Sequence, residues 1–268
     1  MSWSGDPILD DLAAETESLL SLVDGLDEGP AGIDRITPAA PWTIRDQISH
    51  LAGFDEKARI AATDPDRFLA ELTDDFADGG DALMQRQFEV GQAMTPVAVV
   101  DWLRRERAAL IEAFARLDPE ARIPWYGPPM KTRSSAVARL METWAHGVDV
   151  ADALGVVRDP TDRLFHVAEL GVKTFRFSFQ NRGLDVPHER VRVSLTGPSG
   201  VVRTWNDEAT DSVTGPVEDF CLVVAQRRNV ADTGLEVTGG VAESWMHHAQ
   251  VFAGPPGPGR PPTGSRGR

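Results

Sequence analysis

The 268-residue sequence has one cysteine and no long apolar run, and each shortage excludes a class of structure. A single cysteine, Cys221, rules out an internal disulfide and any cysteine-based zinc finger, so a metal site here must use histidine and carboxylate ligands. No stretch approaches the roughly 20 apolar residues that a membrane-spanning helix needs. The N-terminal MSWSGDPILDD is acidic where a signal peptide is basic, and we therefore expect a cytoplasmic protein.

The charge balance is strongly acidic, with a formal net charge of −14. A nucleic-acid-binding protein needs a basic face that displaces counterions from phosphates, and this sequence offers only short Lys/Arg pairs. We therefore expect neither a nucleic-acid partner nor a membrane partner. The acidic charge itself names no partner and mainly aids solubility.

The first half of the chain has the periodicity of amphipathic helices. We predict helices over residues 7–25, 43–62, 80–93, 95–117 and 132–154. Thr43 followed by Asp46 predicts a capping box at the start of the second helix, and Gly155 ends the last one. The segment IPWYGPPM (123–130) is predicted to be a rigid loop.

The pattern changes in the second half. RVRVSLTG (190–197) and VVRTWND (201–207) alternate around a Gly-Pro-Ser-Gly turn and predict a β-hairpin. We also predict helices over 161–182, 215–229 and 240–252, and a short strand over 235–239. The fold class is therefore α+β, with a helical domain over 1–155, a linking helix with a small α+β domain over 156–252, and a disordered Pro/Gly/Arg-rich tail over 253–268.

Three side chains are candidate metal ligands. Glu142 and His146 lie four residues apart on one helix, so their side chains share a face, as in H-E-x-x-H sites. Alone, this pair is weak evidence for a metal site, because acidic residues and histidines often share solvated helix faces. His50 lies at the border of the core-facing stripe of helix 43–62, where a lone histidine is more often a core residue. A ligand from this separate helix would complete a three-ligand site with positions open for water or substrate.

Other reactive side chains have simpler interpretations. Asp149 continues the Glu142/His146 stripe and is either a hydrogen-bond partner of a ligand or a solvated surface residue. His247 and His248 are adjacent, so they point to different sides of a helix and cannot chelate together. Cys221 is expected to be a small buried residue rather than a nucleophile.

Three segments resemble those of a known family. PWTIRDQISHLAG (41–53) resembles the ligand-bearing segment of the DinB-like four-helix-bundle superfamily, in which a histidine follows a W-[ST]-[VI]-[RK]-D cap. METWAHGVDVADALG (141–155) resembles the second ligand segment of the actinobacterial branch that includes mycothiol-dependent maleylpyruvate isomerase. GPVEDFCLVVAQRR (215–228) is similar to the GPAxDLxxxLxxR segment of that family's small sterol-carrier-like second domain.

The resemblance covers nearly all of the chain before the tail. It implies a DinB-like four-helix bundle followed by a small α+β sterol-carrier-like domain, with a divalent metal, zinc first, held by His50, Glu142 and His146. It also implies mycothiol as thiol cosubstrate and an isomerase or S-transferase acting on a small organic acid or electrophile. Arg227 matches the arginine that anchors the substrate, and Arg228 beside it is the alternative.

Two other functions stay open at this point. The lipid-carrier-like domain and the tryptophans at 102, 125, 144, 205 and 245 are also consistent with a non-catalytic protein that binds a hydrophobic or acyl ligand and holds a structural metal, with Asp149 as a fourth ligand. The bundle could instead be an interaction scaffold without metal. The sequence leaves the substrate, the choice among Zn²⁺, Ni²⁺, Mn²⁺ and Fe²⁺, and the oligomeric state undecided, homodimers being common in the superfamily.

Overall fold

The computed structural model describes residues 3–76 and 80–265. The chain divides into two compact units, Met1–Arg158 and Asp159–Arg268. Helices form most of the first unit, and a small sheet with helices forms the second, so the predicted α+β class is confirmed. Among the residues described, no helix is long and apolar enough to cross a membrane.

The first unit is built around a four-helix bundle. Its elements are α1 (Ile8–Val23), α2 (Ile44–Thr63), α3 (Pro65–Phe76), α4 (Gly80–Gln92), α5 (Pro96–Ala115), β1 (Arg122–Ile123), β2 (Met130–Lys131) and α6 (Thr132–Leu154). Helices α2 and α1 each pack against both α5 and α6, which closes the bundle. Buried aliphatic residues from all four helices, among them Leu20, Ile48, Leu103 and Val150, form one core cluster.

The capping predictions for this unit are confirmed. The Thr43 hydroxyl accepts a hydrogen bond from the Asp46 backbone N–H (3.1 Å), and the Asp46 carboxylate accepts one from the Thr43 N–H (2.9 Å). Helix α6 ends at Gly155, whose φ of 69° is left-handed, a conformation that glycine adopts without steric cost. Both caps fix the ends of helices that carry candidate ligands.

One helix and a pair of short strands in this unit were not foreseen. Helix α3 packs against α2 and buries Phe68, although its sequence PDRFLAELTDDF is rich in charge. Strands β1 and β2 pair antiparallel on either side of the predicted loop, with Ile123 opposite Met130. The loop between them carries Trp125, whose ring stacks on Phe68 with centroids 5.9 Å apart.

The second unit contains a four-stranded sheet. Its elements are α7 (Leu164–Lys173), α8 (Phe175–Gln180), β3 (Val191–Thr196), β4 (Val202–Trp205), β5 (Asp211–Pro216), α9 (Val217–Val224), β6 (Glu236–Thr238) and α10 (Gly240–His248). The strand order is β4-β3-β5-β6, with β3 and β5 parallel and the other pairs antiparallel. The predicted β3–β4 hairpin is confirmed.

The structure corrects two details in this unit. The helix predicted over 161–182 is divided at Thr174 into α7 and α8. Residues 215–216, predicted as the start of a helix, end strand β5, because the backbone at Gly215 and Pro216 is extended and α9 begins only at Val217. Asn229 Nδ2 also donates a hydrogen bond to the Arg260 carbonyl at 3.0 Å.

Candidate metal centre

The bundle brings the three predicted ligands together. The Nε2 atoms of His50 and His146 lie 3.5 Å and 3.1 Å from Oε2 of Glu142. One ligand atom from each of the three side chains lies within 4.8 Å of the other two. Among the residues described, these three form the group of His, Cys, Asp or Glu side chains that lie close enough together to hold one metal ion. Helix α2 supplies His50 and helix α6 supplies the other two, so tertiary packing rather than local sequence creates the cluster.

These separations suit a small divalent cation. Bonds of about 2.0–2.2 Å in tetrahedral geometry place neighbouring ligand atoms about 3.3 Å apart. The two separations from Glu142 Oε2 lie on either side of that value. Zinc and the other divalent metals of the first transition row bind imidazole nitrogens and carboxylate oxygens. A site with three protein ligands leaves a coordination position for a further group.

A chain of hydrogen bonds sets the orientation of His146. The Thr37 hydroxyl donates to the Trp42 carbonyl (2.9 Å), so its oxygen accepts from Nε2 of Gln47 (2.9 Å). The amide oxygen of Gln47 therefore faces Nδ1 of His146 as an acceptor, and Nδ1 carries the proton. Nε2 of a neutral His146 then presents a lone pair to the Glu142 carboxylate, and two acceptors 3.1 Å apart require a proton or a cation between them.

Aromatic rings surround the two imidazoles. Trp42 stacks parallel to His146, with centroids 5.7 Å and planes 2° apart, and contacts His50 at 5.2 Å. Phe54 lies 4.7 Å from His50 on the other side. The rings restrict rotation of both imidazoles and keep water from most of the cluster. Trp42 and Phe54 are themselves only half-buried.

Burial and hydrogen bonding shift the pKa values of two ligands. Burial lowers the pKa of His50 to about 4, against the opposing effect of its hydrogen bond with Glu142. Burial alone would raise the pKa of Glu142, but hydrogen bonds from His146 and His50 and the charges of His146 and Arg139 lower it well below its usual range. At neutral pH the site therefore holds a neutral His50 and an ionised Glu142, the forms that bind metal.

The remaining candidate residues lie outside this cluster. Asp149 is fully buried, so its interpretation as a solvated residue is wrong, and it is not among the three clustered ligands. Cys221 is buried, its Sγ lies 3.4 Å from the Leu164 carbonyl, and burial raises the pKa of its thiol, as expected for an inert core residue. Arg227 lies half-buried in the second unit, where Nη1 donates to the Ala225 carbonyl at 2.8 Å.

The sequence analysis missed two residues that orient the ligands. Gln47 lies three residues before His50, which places both on one face of α2 and could have identified it. Trp42 precedes the cap, and its contacts with both imidazoles depend on the fold of residues 37–42, where Thr37 N–H donates to the Trp42 carbonyl at 2.9 Å.

Comparison with known proteins assigns a family. The sequence profile of the family described as the mycothiol maleylpyruvate isomerase N-terminal domain matches residues 12–151. The chain belongs to this family. The match covers more than half of the chain and includes all three clustered residues, which confirms the resemblance inferred from the sequence.

Relatives and solved structures resemble the chain over most of its length. Proteins described as uncharacterized from two strains of Mycobacterium tuberculosis are each 42% identical over 258 residues, which cover 95% of this chain and 98% of theirs. The crystal structure of a mycothiol-dependent maleylpyruvate isomerase superimposes with a TM-score of 0.57 at 14% identity, covering 88% of this chain and 95% of that one. A histidine-to-alanine variant of that enzyme also gives 0.57, at 15% identity, covering 90% and 96%. At this identity the structures establish a shared fold.

Proposed function

We propose that this family member is a divalent-metal-dependent isomerase or S-transferase that uses a low-molecular-weight thiol of the mycothiol type and acts on a small organic acid or electrophile. The observation that carries the proposal is the convergence of His50 Nε2, Glu142 Oε2 and His146 Nε2 at separations suited to one cation. Family membership supports the thiol, since the profile that matches is that of a mycothiol-dependent enzyme's N-terminal domain.

The residues of the site have separate tasks. Neutral His50 and His146 and ionised Glu142 would hold the cation, and their summed charge of −1 would leave the site with a net charge of about +1. A divalent cation held this way supplies Lewis acidity that lowers the pKa of a thiol to about 7 or below. Gln47 fixes the tautomer of His146, and Trp42 and Phe54 exclude water from the imidazoles.

The proposed reaction needs no redox partner. The thiolate sulfur forms a bond to an alkene carbon of a conjugated acid, and the alkene electron pair moves towards the carboxyl or carbonyl group. Rotation about the resulting single bond and return of that electron pair re-form the alkene and expel the thiolate, so the thiol is regenerated. With a substrate that carries a leaving group, the same attack gives S-transfer. Arg227 is proposed to bind the substrate's carboxylate, on the basis of the resemblance of residues 215–228.

The alternative of a non-catalytic hydrophobic-ligand protein has less support. Three of the five tryptophans that favoured it, Trp102, Trp144 and Trp245, are buried core residues that would not line a ligand cavity. Asp149, its proposed fourth ligand, does not belong to the cluster. A site with three protein ligands is the arrangement found in catalytic rather than structural zinc centres.

The proposal is tested by metal analysis combined with thiol-dependent turnover. Protein purified without chelators is expected to hold about one equivalent of metal per chain, and His50→Ala and Glu142→Gln to lose most of it. Activity on an unsaturated acid is then measured with mycothiol, glutathione and coenzyme A. The exposed His247 provides a matched control, since His247→Ala removes an imidazole outside the cluster. Full metal content in His50→Ala, or turnover that is independent of thiol, would refute the proposal.

A further inference from the structure

A buried arginine lies next to the candidate metal centre with no function assigned so far. Arg139 is on α6, three residues before Glu142 and seven before His146, so the three side chains share one face of the helix. Only 6% of Arg139 is exposed. Its Nη1 atom has no hydrogen-bond partner among the residues that the structure describes. A buried N–H group without a partner destabilises the fold, and more so when it is charged.

The neighbouring carboxylates are engaged elsewhere. Glu142 and Asp55 are the acidic groups whose charges act on Arg139. Asp55 accepts two hydrogen bonds from the Arg107 guanidinium, at 2.7 Å and 3.1 Å. Glu142 faces the two histidines. The two arginines and two carboxylates sum to zero charge, so adding a divalent cation leaves this buried region with a net charge of +2. An anion would offset that charge.

The surroundings of Arg139 favour a flat anion. The guanidinium carbon lies 5.8 Å from the ring centroids of both Phe54 and Trp125. Such contacts hold the planar group in a fixed orientation and leave its N–H edge for an acceptor. Both rings are half-buried, so a ligand that enters beside them meets aromatic surface. A conjugated acid combines a planar apolar body, which packs on aromatic rings, with a carboxylate that accepts two parallel hydrogen bonds from arginine.

A second buried polar group, the side-chain amide of Gln87, borders the face of α2 that carries His50 and Phe54. The amide of Gln87 is buried, and neither its oxygen nor its nitrogen has a hydrogen-bond partner among the described residues. It packs so closely over Gly53 that a Cβ atom there would lie 2.6 Å from Gln87 Cδ. Gly53 shares the helix face of His50 and Phe54. Gln87 could therefore offer one donor and one acceptor to the polar end of a ligand.

We propose that Arg139 anchors the substrate by binding the carboxylate of a small unsaturated acid beside His50, Glu142 and His146. The inference deepens the proposed function and rests on it for the identity of the acid as substrate. It places an anion-binding residue in the helical unit itself, in addition to Arg227 of the second unit.

Calorimetric titration with maleate, without any thiol, tests the proposal independently of turnover. Zinc-loaded wild type is expected to bind maleate, and Arg139→Gln to bind it about tenfold or more weakly with unchanged zinc content. Arg139→Lys keeps the charge without the fork of donors and should recover part of the affinity. The control is Arg105→Gln, which removes an exposed arginine of the same unit and should bind like wild type.

The outcomes separate this inference from the proposed function. Equal maleate affinity in wild type and Arg139→Gln, or no maleate binding by wild type at millimolar concentrations, overturns the role of Arg139 even if metal content and thiol-dependent turnover are as proposed. If Arg139→Gln fails to fold, a crystal structure of wild type soaked with maleate decides. A carboxylate oxygen about 2.7–2.9 Å from Arg139 Nη1 supports the inference, and a maleate bound elsewhere overturns it.

Discussion

Nδ1 of His146 on α6 is hydrogen bonded to Oε1 of Gln47 on α2, one turn before His50 on that helix. The bond joins the two helices that carry the candidate ligands and leaves Nε2 of His146 facing Glu142. Because the Gln47 amide is itself held by Thr37, the orientation of one ligand is determined by residues that do not touch the proposed cation.

Loss of the Gln47 contact should weaken metal binding. Gln47→Leu keeps approximate volume but removes the acceptor, so His146 is free to adopt the wrong tautomer or to rotate. We expect the zinc dissociation constant, measured by competition with a chromogenic chelator, to rise about 10–100-fold. Gln47→Glu retains an acceptor and should recover much of the affinity. Equal zinc affinity in Gln47→Leu and wild type would contradict this role.

The metal-free protein should lose stability in acid because of His50. Its pKa is about 4 in the folded chain and about 6.5 when unfolded, so the unfolded state binds more protons between these values. The free energy of unfolding therefore falls as the pH drops from 6.5 towards 4. Between pH 7 and 4.5 we expect metal-stripped wild type to lose about 2 kcal/mol more than His50→Gln in urea denaturation. The exposed His247→Gln is the control; parallel pH profiles for wild type and His50→Gln would disprove the prediction.

A buried ion pair holds α2 in position. Arg107 on α5 bonds Asp55 on α2 through two nitrogens and also donates to the Thr16 hydroxyl on α1. Asp55→Ala leaves a buried guanidinium without its counter-ion, so we expect the free energy of unfolding to fall by about 3–5 kcal/mol. For comparison, Asp101→Ala breaks an exposed pair with Arg104 and should cost less than about 1 kcal/mol. Urea denaturation measures the free energy of unfolding of both variants. Similar losses in the two would contradict a larger contribution from the buried pair.

The capping box of α2 should contribute to the stability of the fold. Thr43→Ala removes the hydroxyl that accepts from the Asp46 N–H and should lower the free energy of unfolding by about 1 kcal/mol. Thr43→Ser keeps the hydroxyl and serves as control. Thermal denaturation of the three proteins measures the effect; a Thr43→Ala midpoint equal to that of wild type would contradict it.

The sequence predicts the ligand-bearing helices well because their signals are local. Each of these signals depends on residues that are close together in the sequence: the capping box at Thr43, the glycine at 155 that ends α6, and the apolar periodicity of each helix. Helix α3 was missed because its sequence is rich in charge and has few apolar residues, although these residues share one face of the helix and Phe68 among them is buried. Strand β5 was missed because it pairs in parallel with β3, and pairing between distant segments leaves no local pattern.

The candidate site, too, could be predicted from the sequence only in part. Spacing alone places Glu142 and His146 on one helix face, whereas the meeting with His50 depends on packing between α2 and α6 and was inferred from family resemblance. Arg139 lies three residues from Glu142, one fewer than His146, but an arginine on a helix is usually exposed, and only its burial in the fold distinguishes it.

X-ray absorption at the zinc edge shows whether the three side chains bind a metal that also binds a thiol, because it reports the atoms bound to the metal before and after a thiol is added. For the zinc-loaded protein we expect scattering from two imidazoles and light oxygen ligands at about 2.0–2.2 Å, joined after addition of mycothiol by one sulfur at about 2.3 Å. A spectrum without imidazole scattering, or one that mycothiol leaves unchanged, would contradict the claim that His50, Glu142 and His146 hold a metal that activates a thiol.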